Sequence, residues 1–125
     1  MNIQEALDMV DKMKPNMMDQ GTKIKFLSEI EGLIHHELRL KHVHKPEEHT
    51  CPKFDEATDP GTELMVPDPY AMVYVYWVMA KIDLRNLEID KYNNDNALFA
   101  SAYNTLSDWW TRTRMPISEV RELRL

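Results

Sequence analysis

The sequence predicts an all-α fold, a four-helix domain in two helical pairs separated by a long central loop. Three observations carry that prediction. Apolar residues recur at spacings of three and four over four long segments. Capping residues and prolines stand at the ends of those segments. Only one short run, Glu63 to Val66, has the character of a strand.

In the first helix Asn2 stands three residues before Glu5 as a capping pair, and Ile3, Ala6, Leu7, Val10 and Met13 share a face. Pro15 and Asn16 stop it. The second opens after Gly21 with Thr22 as its expected N-cap and runs to about Lys41. Ile24, Leu27, Ile34 and Leu38 lie on one face, with Phe26, Ile30, Leu33 and Leu40 beside it. A stripe that wide covers half the circumference, so this helix needs two packing neighbours or a partner chain.

From 42 to 68 the periodicity disappears, and Pro46, Pro52, Pro60, Gly61 and Pro67 punctuate the run. A connection of this length without structure is uncommon inside a domain and is usually functional or unordered until bound. Within it, Glu63, Leu64, Met65 and Val66 read as a short strand with no evident partner in the chain, which points to a neighbouring subunit. The third helix is expected to begin at Asp68 and Pro69, a cap followed by proline in the first turn. Tyr70 to Ala80 is rich in β-branched and aromatic residues, yet the helical spacing continues through Leu84, Leu87 and Tyr92, too long for a strand. Its apolar character all round predicts the buried centre of the domain. Asn93 or Asn94 then caps a fourth helix, with Leu98, Ala102, Leu106 and Trp109 on one face and Phe99, Tyr103 and Trp110 alongside, ending near Arg114. The domain spans 1–116. The tail, 117–125, has three apolar anchors, Ile117, Val120 and Leu123, and reads either as a short helix awaiting a partner or as a frayed end.

Charge narrows the function. The chain has 125 residues and a net charge of −6. Residues 46–68 hold seven acids (Glu47, Glu48, Asp55, Glu56, Asp59, Glu63, Asp68) against Lys53 alone, so the whole net charge belongs to that segment and the body is neutral. A nucleic-acid reader is disfavoured, since the excess of arginine after Thr111 is small. The longest uncharged apolar stretch, Tyr70 to Ala80, is 11 residues, well short of the roughly 20 needed to span a bilayer. With one cysteine there is no internal disulfide, and no secretory leader is evident, so the expectation is a soluble protein in the cytoplasm when synthesised.

Chemistry has few footholds. His35, His36, His42, His44, His49 and Cys51 put six potential ligands in 17 residues, but the one-residue gaps in His42-x-His44 and His49-x-Cys51 are poor zinc spacing, and a solvated loop is the plainer assignment. No metal and no cofactor is expected. Gly21, Gly32 and Gly61 build no phosphate loop, no serine sits in a nucleophile elbow, and Cys51 lies in the least rigid segment, so no enzyme is expected. The aromatic residues Tyr70, Tyr74, Tyr76, Trp77, Tyr103, Trp109 and Trp110 fall at helical spacing and read as core. Trp109 and Trp110 are adjacent, about 100° apart on the helix, which leaves one of them at the core's edge.

Leu64-Met65-Val66-Pro67-Asp68-Pro69-Tyr70, Val73-Tyr74-Val75-Tyr76 and Ile82-Asp83-Leu84 resemble segments of a known family, and Tyr92-Asn93-Asn94-Asp95-x-Ala97-Leu98-Phe99 and Trp109-x-x-Arg112-Thr113-x-Met115-Pro116 extend the match. The chain is similar to the small head-tail connector proteins of long-tailed phages and prophages, also called head-completion or adaptor proteins. The resemblance implies an all-helical subunit, often monomeric alone, that assembles as a ring, commonly of twelve copies, under the portal protein after DNA packaging. The ring offers a docking surface to the tail or a second connector protein. It implies a place at the head–tail junction of the virion, with packaged double-stranded DNA nearby and no base readout. In such a ring Glu63, Leu64, Met65, Val66, Trp110, Met115, Ile117, Val120 and Leu123 are the expected contacts to a neighbour or the portal. Glu47, Glu48, Asp55, Glu56 and Asp59 are expected to face the DNA channel and repel phosphate. The alternative from another class is a small cytosolic helical module that binds a regulatory protein or peptide.

Overall fold

The computed structural model describes residues 1–117. Helix α1 (Ile3–Met13) starts on the expected capping box: the Asn2 side chain accepts from the Glu5 N–H at 2.8 Å, and the Glu5 carboxylate accepts from the Asn2 N–H at 3.3 Å. Its stripe of Ile3, Ala6, Leu7 and Val10 is buried, each large aliphatic contributing about 1.5–3 kcal/mol relative to exposure. Helix α2 (Gln20–Ile34) begins three residues earlier than expected. Asp19, not Thr22, is the cap, because its carboxylate takes both the Thr22 N–H at 3.0 Å and the Thr22 hydroxyl at 2.8 Å. A π turn at His35–Arg39 continues α2, and its widened register buries both His35 and Leu38.

Helix α3 (Met72–Arg85) starts three residues later than the cap at Asp68 predicts. The Asp68 carboxylate faces the Met1 ammonium at 3.8 Å instead of capping a helix, and the Asp68–Pro69 peptide is cis. Turns at Pro67 to Ala71 lead in, with the Tyr70 N–H on the Pro67 carbonyl at 2.9 Å. The helix also stops earlier than expected: Leu87 and Tyr92 do not continue it. Asn86 is the C-cap, the Leu87 N–H donates to Leu84 O at 3.1 Å and the Glu88 N–H to Asp83 O at 2.9 Å, with Leu87 at φ 57°. That is a Schellman ending, and it reverses the chain so that helix α4 (Ile89–Thr113) lies back along α3. The cap expected at Asn93 or Asn94 therefore falls inside α4.

As its apolar sequence predicts, α3 is the centre: Val73, Tyr74, Val75, Val78, Met79, Ala80 and Ile82 are buried, and α3 touches each of the other three helices. Helix α4 closes the cluster through Leu106 and Trp110, with Phe99, Ala102, Tyr103 and Trp109 half-buried, while Leu98 faces outward.

The connection from 42 to 68 is not loose. It runs as a strap antiparallel to α2: Arg39 Nη1 donates to Glu48 O at 3.2 Å, Cys51 lies beside Gly32, the Phe54 N–H donates to Ser28 Oγ at 3.0 Å, and the Glu56 side chain covers Gly21. A Cβ on Gly21 would collide with the Glu56 carboxylate, so glycine permits this close approach. The short strand expected at Glu63–Val66 is a single antiparallel bridge, Asn2 with Glu63. A second bridge joins His42 to Pro116, flanked by Val43 N–H to Met115 O at 2.9 Å and Ile117 N–H to Lys41 O at 3.1 Å.

Candidate interaction surface

The partner for the Glu63–Val66 segment lies within the chain, not in a neighbouring subunit. The Leu64 N–H donates to Met1 O at 3.0 Å, the Met65 N–H to Glu31 Oε2 at 2.8 Å and the Val66 N–H to the Tyr74 hydroxyl at 2.9 Å. Leu64 and Val66 are buried, Met65 is half-buried, and exposed Glu63 faces the Met1 ammonium at 3.4 Å. Sequence reasoning missed these partners because they are the chain's first residue and two side chains, Glu31 and Tyr74, that read only as parts of helices.

Trp110 is likewise an internal residue, 4% exposed, with the Arg114 guanidinium 3.9 Å from its ring centre and Trp109 edge-on against it. Ile117 is half-buried and held to Lys41. Met115 is exposed at 46% beside Val43 at 49%, so that part of the expected contact set is an open apolar pair. Val120 and Leu123 lie outside the described residues.

The five acids assigned to a channel-facing loop do not form one patch. The strap spreads them along α2, a span of about 27 Å between the levels of Arg39 and Gly21. Glu48 accepts from the Lys45 N–H at 2.9 Å, which holds its carboxyl below the usual range, and stands 4.0 Å from Arg39. Asp55 and Asp59 turn back to the N–H groups of Ala57 and Gly61. Glu47 is exposed and has no hydrogen bond or ion pair among the described residues.

Two of the histidines meet beyond the end of α2. His44 Nδ1 lies 2.8 Å from His42 O, so that nitrogen carries a hydrogen. His49 Nδ1 is 3.1 Å from His44 Nε2, and one of the two donates to the other. The ring centres are 5.4 Å apart at an interplanar angle of 15°, and the excess over the N···N distance matches two imidazole radii. The rings therefore meet edge to edge, nearly in line, with their nitrogens aimed at one another instead of converging on a shared ion. Among the described residues no three His, Cys, Asp or Glu side chains are placed to hold a metal. His35 is buried, and its pKa is lowered by burial and then by Arg39.

Two polar clusters inside the domain had no separate signal in the pattern of the sequence. Glu31, 1% exposed, accepts from the Tyr74 hydroxyl at 2.5 Å and from the Met65 N–H. Burial raises the Glu31 carboxyl despite these donors and pushes the Tyr74 hydroxyl up as well. In the second cluster Lys14 Nζ lies 2.7 Å from Asp83 and 3.2 Å from Asp95, tying the end of α1 to α3 and α4. Burial and the Asp95 neighbour raise Asp83, while for Lys14 the contacts with the two carboxylates outweigh burial and raise the ammonium.

The surface carries two further features. At the α3–α4 corner Leu84, Leu87 and Ile89 stand 43%, 79% and 52% exposed. Between α2 and the strap runs an open groove of about 800 Å³, mostly apolar, lined among others by Lys25, Ser28, Gly32, Leu33, Cys51 and Phe54. None of these features brings a nucleophile, a base and an oxyanion donor together. No described helix is long and apolar enough to cross a membrane. Comparison with protein-family models, with curated proteins and with solved structures found no match to this chain.

Proposed function

We propose that the protein is a structural adaptor of a phage or prophage virion, a head-tail connector whose copies form a ring under the portal and receive the tail. The observation that carries this reading is the placement of exposed apolar side chains at opposite ends of α4. Leu84, Leu87 and Ile89 stand at its start, and Val43 and Met115 at its end, about 37 Å away along a 25-residue helix. A ring subunit under a portal needs more than one contact surface, for its neighbours and for the proteins above and below, and separated apolar patches suit that need. The buried carboxylates are held by Lys14, Tyr74 and backbone N–H groups, as structural polar groups are, and do not line a cavity. The resemblance of Leu64–Tyr70, Ile82–Leu84 and Trp109–Pro116 to connector segments points the same way. In the ring, strap acids such as Glu47 discourage DNA phosphate from adhering as the genome passes.

The test is to mix the purified protein with the portal protein of the same phage or prophage and to image the product by electron microscopy. A twelve-fold ring on the portal is expected. Absence of portal binding together with a stable complex with a host regulatory protein would favour the helical regulatory module instead.

A further inference from the structure

We infer that the α3–α4 corner is a contact surface for a second copy of this chain, with Leu87 of one copy seated in the groove between α2 and the strap of another. Leu87 occupies the residue after the C-cap of a Schellman ending, at φ 57°. Glycine is favoured there because a side chain in the left-handed region costs about 1–2 kcal/mol. The side chain recovers none of that within the subunit, being 79% exposed between Leu84 and Ile89. A strained backbone that holds a large apolar residue out into water is accounted for when something covers that residue.

The groove has the opposite shape and matching chemistry. Leu33, Phe54, Pro52 and the α-carbon of Gly32 give it apolar walls, and its volume exceeds that of one leucine side chain several-fold. Charge favours a second copy. In a chain of net −6, both surfaces are locally balanced: Arg85 and Asp90 flank the corner, and Lys25, Lys53, Glu29 and Asp55 edge the groove. None of these six has an ion pair among the described residues. Asp90 of one copy can face Lys25 or Lys53 of another, and Arg85 can face Glu29 or Asp55, so the two surfaces complement each other in charge. The inference rests on the ring reading only for the expectation that such contacts repeat from copy to copy.

The single cysteine lines the groove, so the contact reports itself. Leu87→Cys in the full chain, oxidised with diamide and resolved on a non-reducing gel, should give disulfides between position 87 and Cys51 of another copy, identified by peptide mass spectrometry. A ladder of linked species supports the seat and its head-to-tail repetition. A pair closed by two reciprocal disulfides supports the seat and counts against the ring. Products limited to 51–51 or 87–87 links, or a link within one chain, overturn the inference, and they leave the portal experiment unaffected. Leu87→Gly supplies a second readout: the monomer should become more stable while self-association measured by sedimentation weakens about tenfold or more. If stability rises and association is unchanged, the corner is not the contact.

Discussion

Tyr74 shows how much one side chain holds together. Its hydroxyl donates to Glu31 and accepts from the Val66 N–H, so it joins α3, α2 and the end of the strap. Tyr74→Phe leaves both partners buried without that contact, and a loss of about 1–3 kcal/mol is expected in urea unfolding. His35 sets a pH dependence. Its folded pKa lies below the ordinary 6.5 because burial, then Arg39, disfavour the cation, with His36 and His49 also facing it and only a backbone contact at His49 opposing them. The unfolded chain therefore takes up the proton first as pH falls, and stability contributed by neutral His35 is present above 6.5 and declines below it. Glu31 acts in the opposite sense, since its raised carboxyl makes the folded state less favoured as pH rises above 4.5. From about pH 7.5 to about 5.5 the native sequence should lose stability relative to His35→Phe, read as a change in the difference between their melting temperatures.

Among the elements, the ends of α3 show what spacing conveys and what it omits. The run from Val73 to Ile82 was legible as a helix because its apolar spacing continues too far for a strand, and as the buried centre because it is apolar all round. Its termination was not legible, because Leu84 and Leu87 keep the helical period and neither Gly nor Pro marks the turn. The backbone at Leu87 adopts the left-handed region against its own preference. Leu87→Gly is accordingly expected to raise the unfolding free energy of the monomer by about 1 kcal/mol, measured in denaturant. The strap illustrates the reverse error. Prolines and acids suggested a loose acidic loop, whereas local caps at Asp55 and Asp59, the Ser28 hydroxyl and the room above Gly21 fasten it along α2. The Phe54–Ser28 and Glu56–Gly21 contacts link residues 26 and 35 positions apart, beyond the range of local pattern.

At the scale of the whole molecule, cohesion passes through the Lys14, Asp83 and Asp95 cluster. Lys14→Met leaves two neighbouring carboxylates without their cation, and a destabilisation of about 3–5 kcal/mol is expected, with all helices melting together. A separate early melting of α1 alone would show that the cluster does not couple the helices.

The sequence by itself determined the all-α class, the capping of α1, the central place of α3 and the confinement of the net charge to one segment, since each follows from composition and from periodicity within one element. Only the tertiary structure decided where the strap lies, which chain segment partners Leu64 to Val66, and that Trp110 is internal while Leu87 is exposed. Those outcomes depend on hydrogen bonds and packing between distant residues. The left-handed turn at Leu87 in particular is a backbone conformation its side chain does not announce.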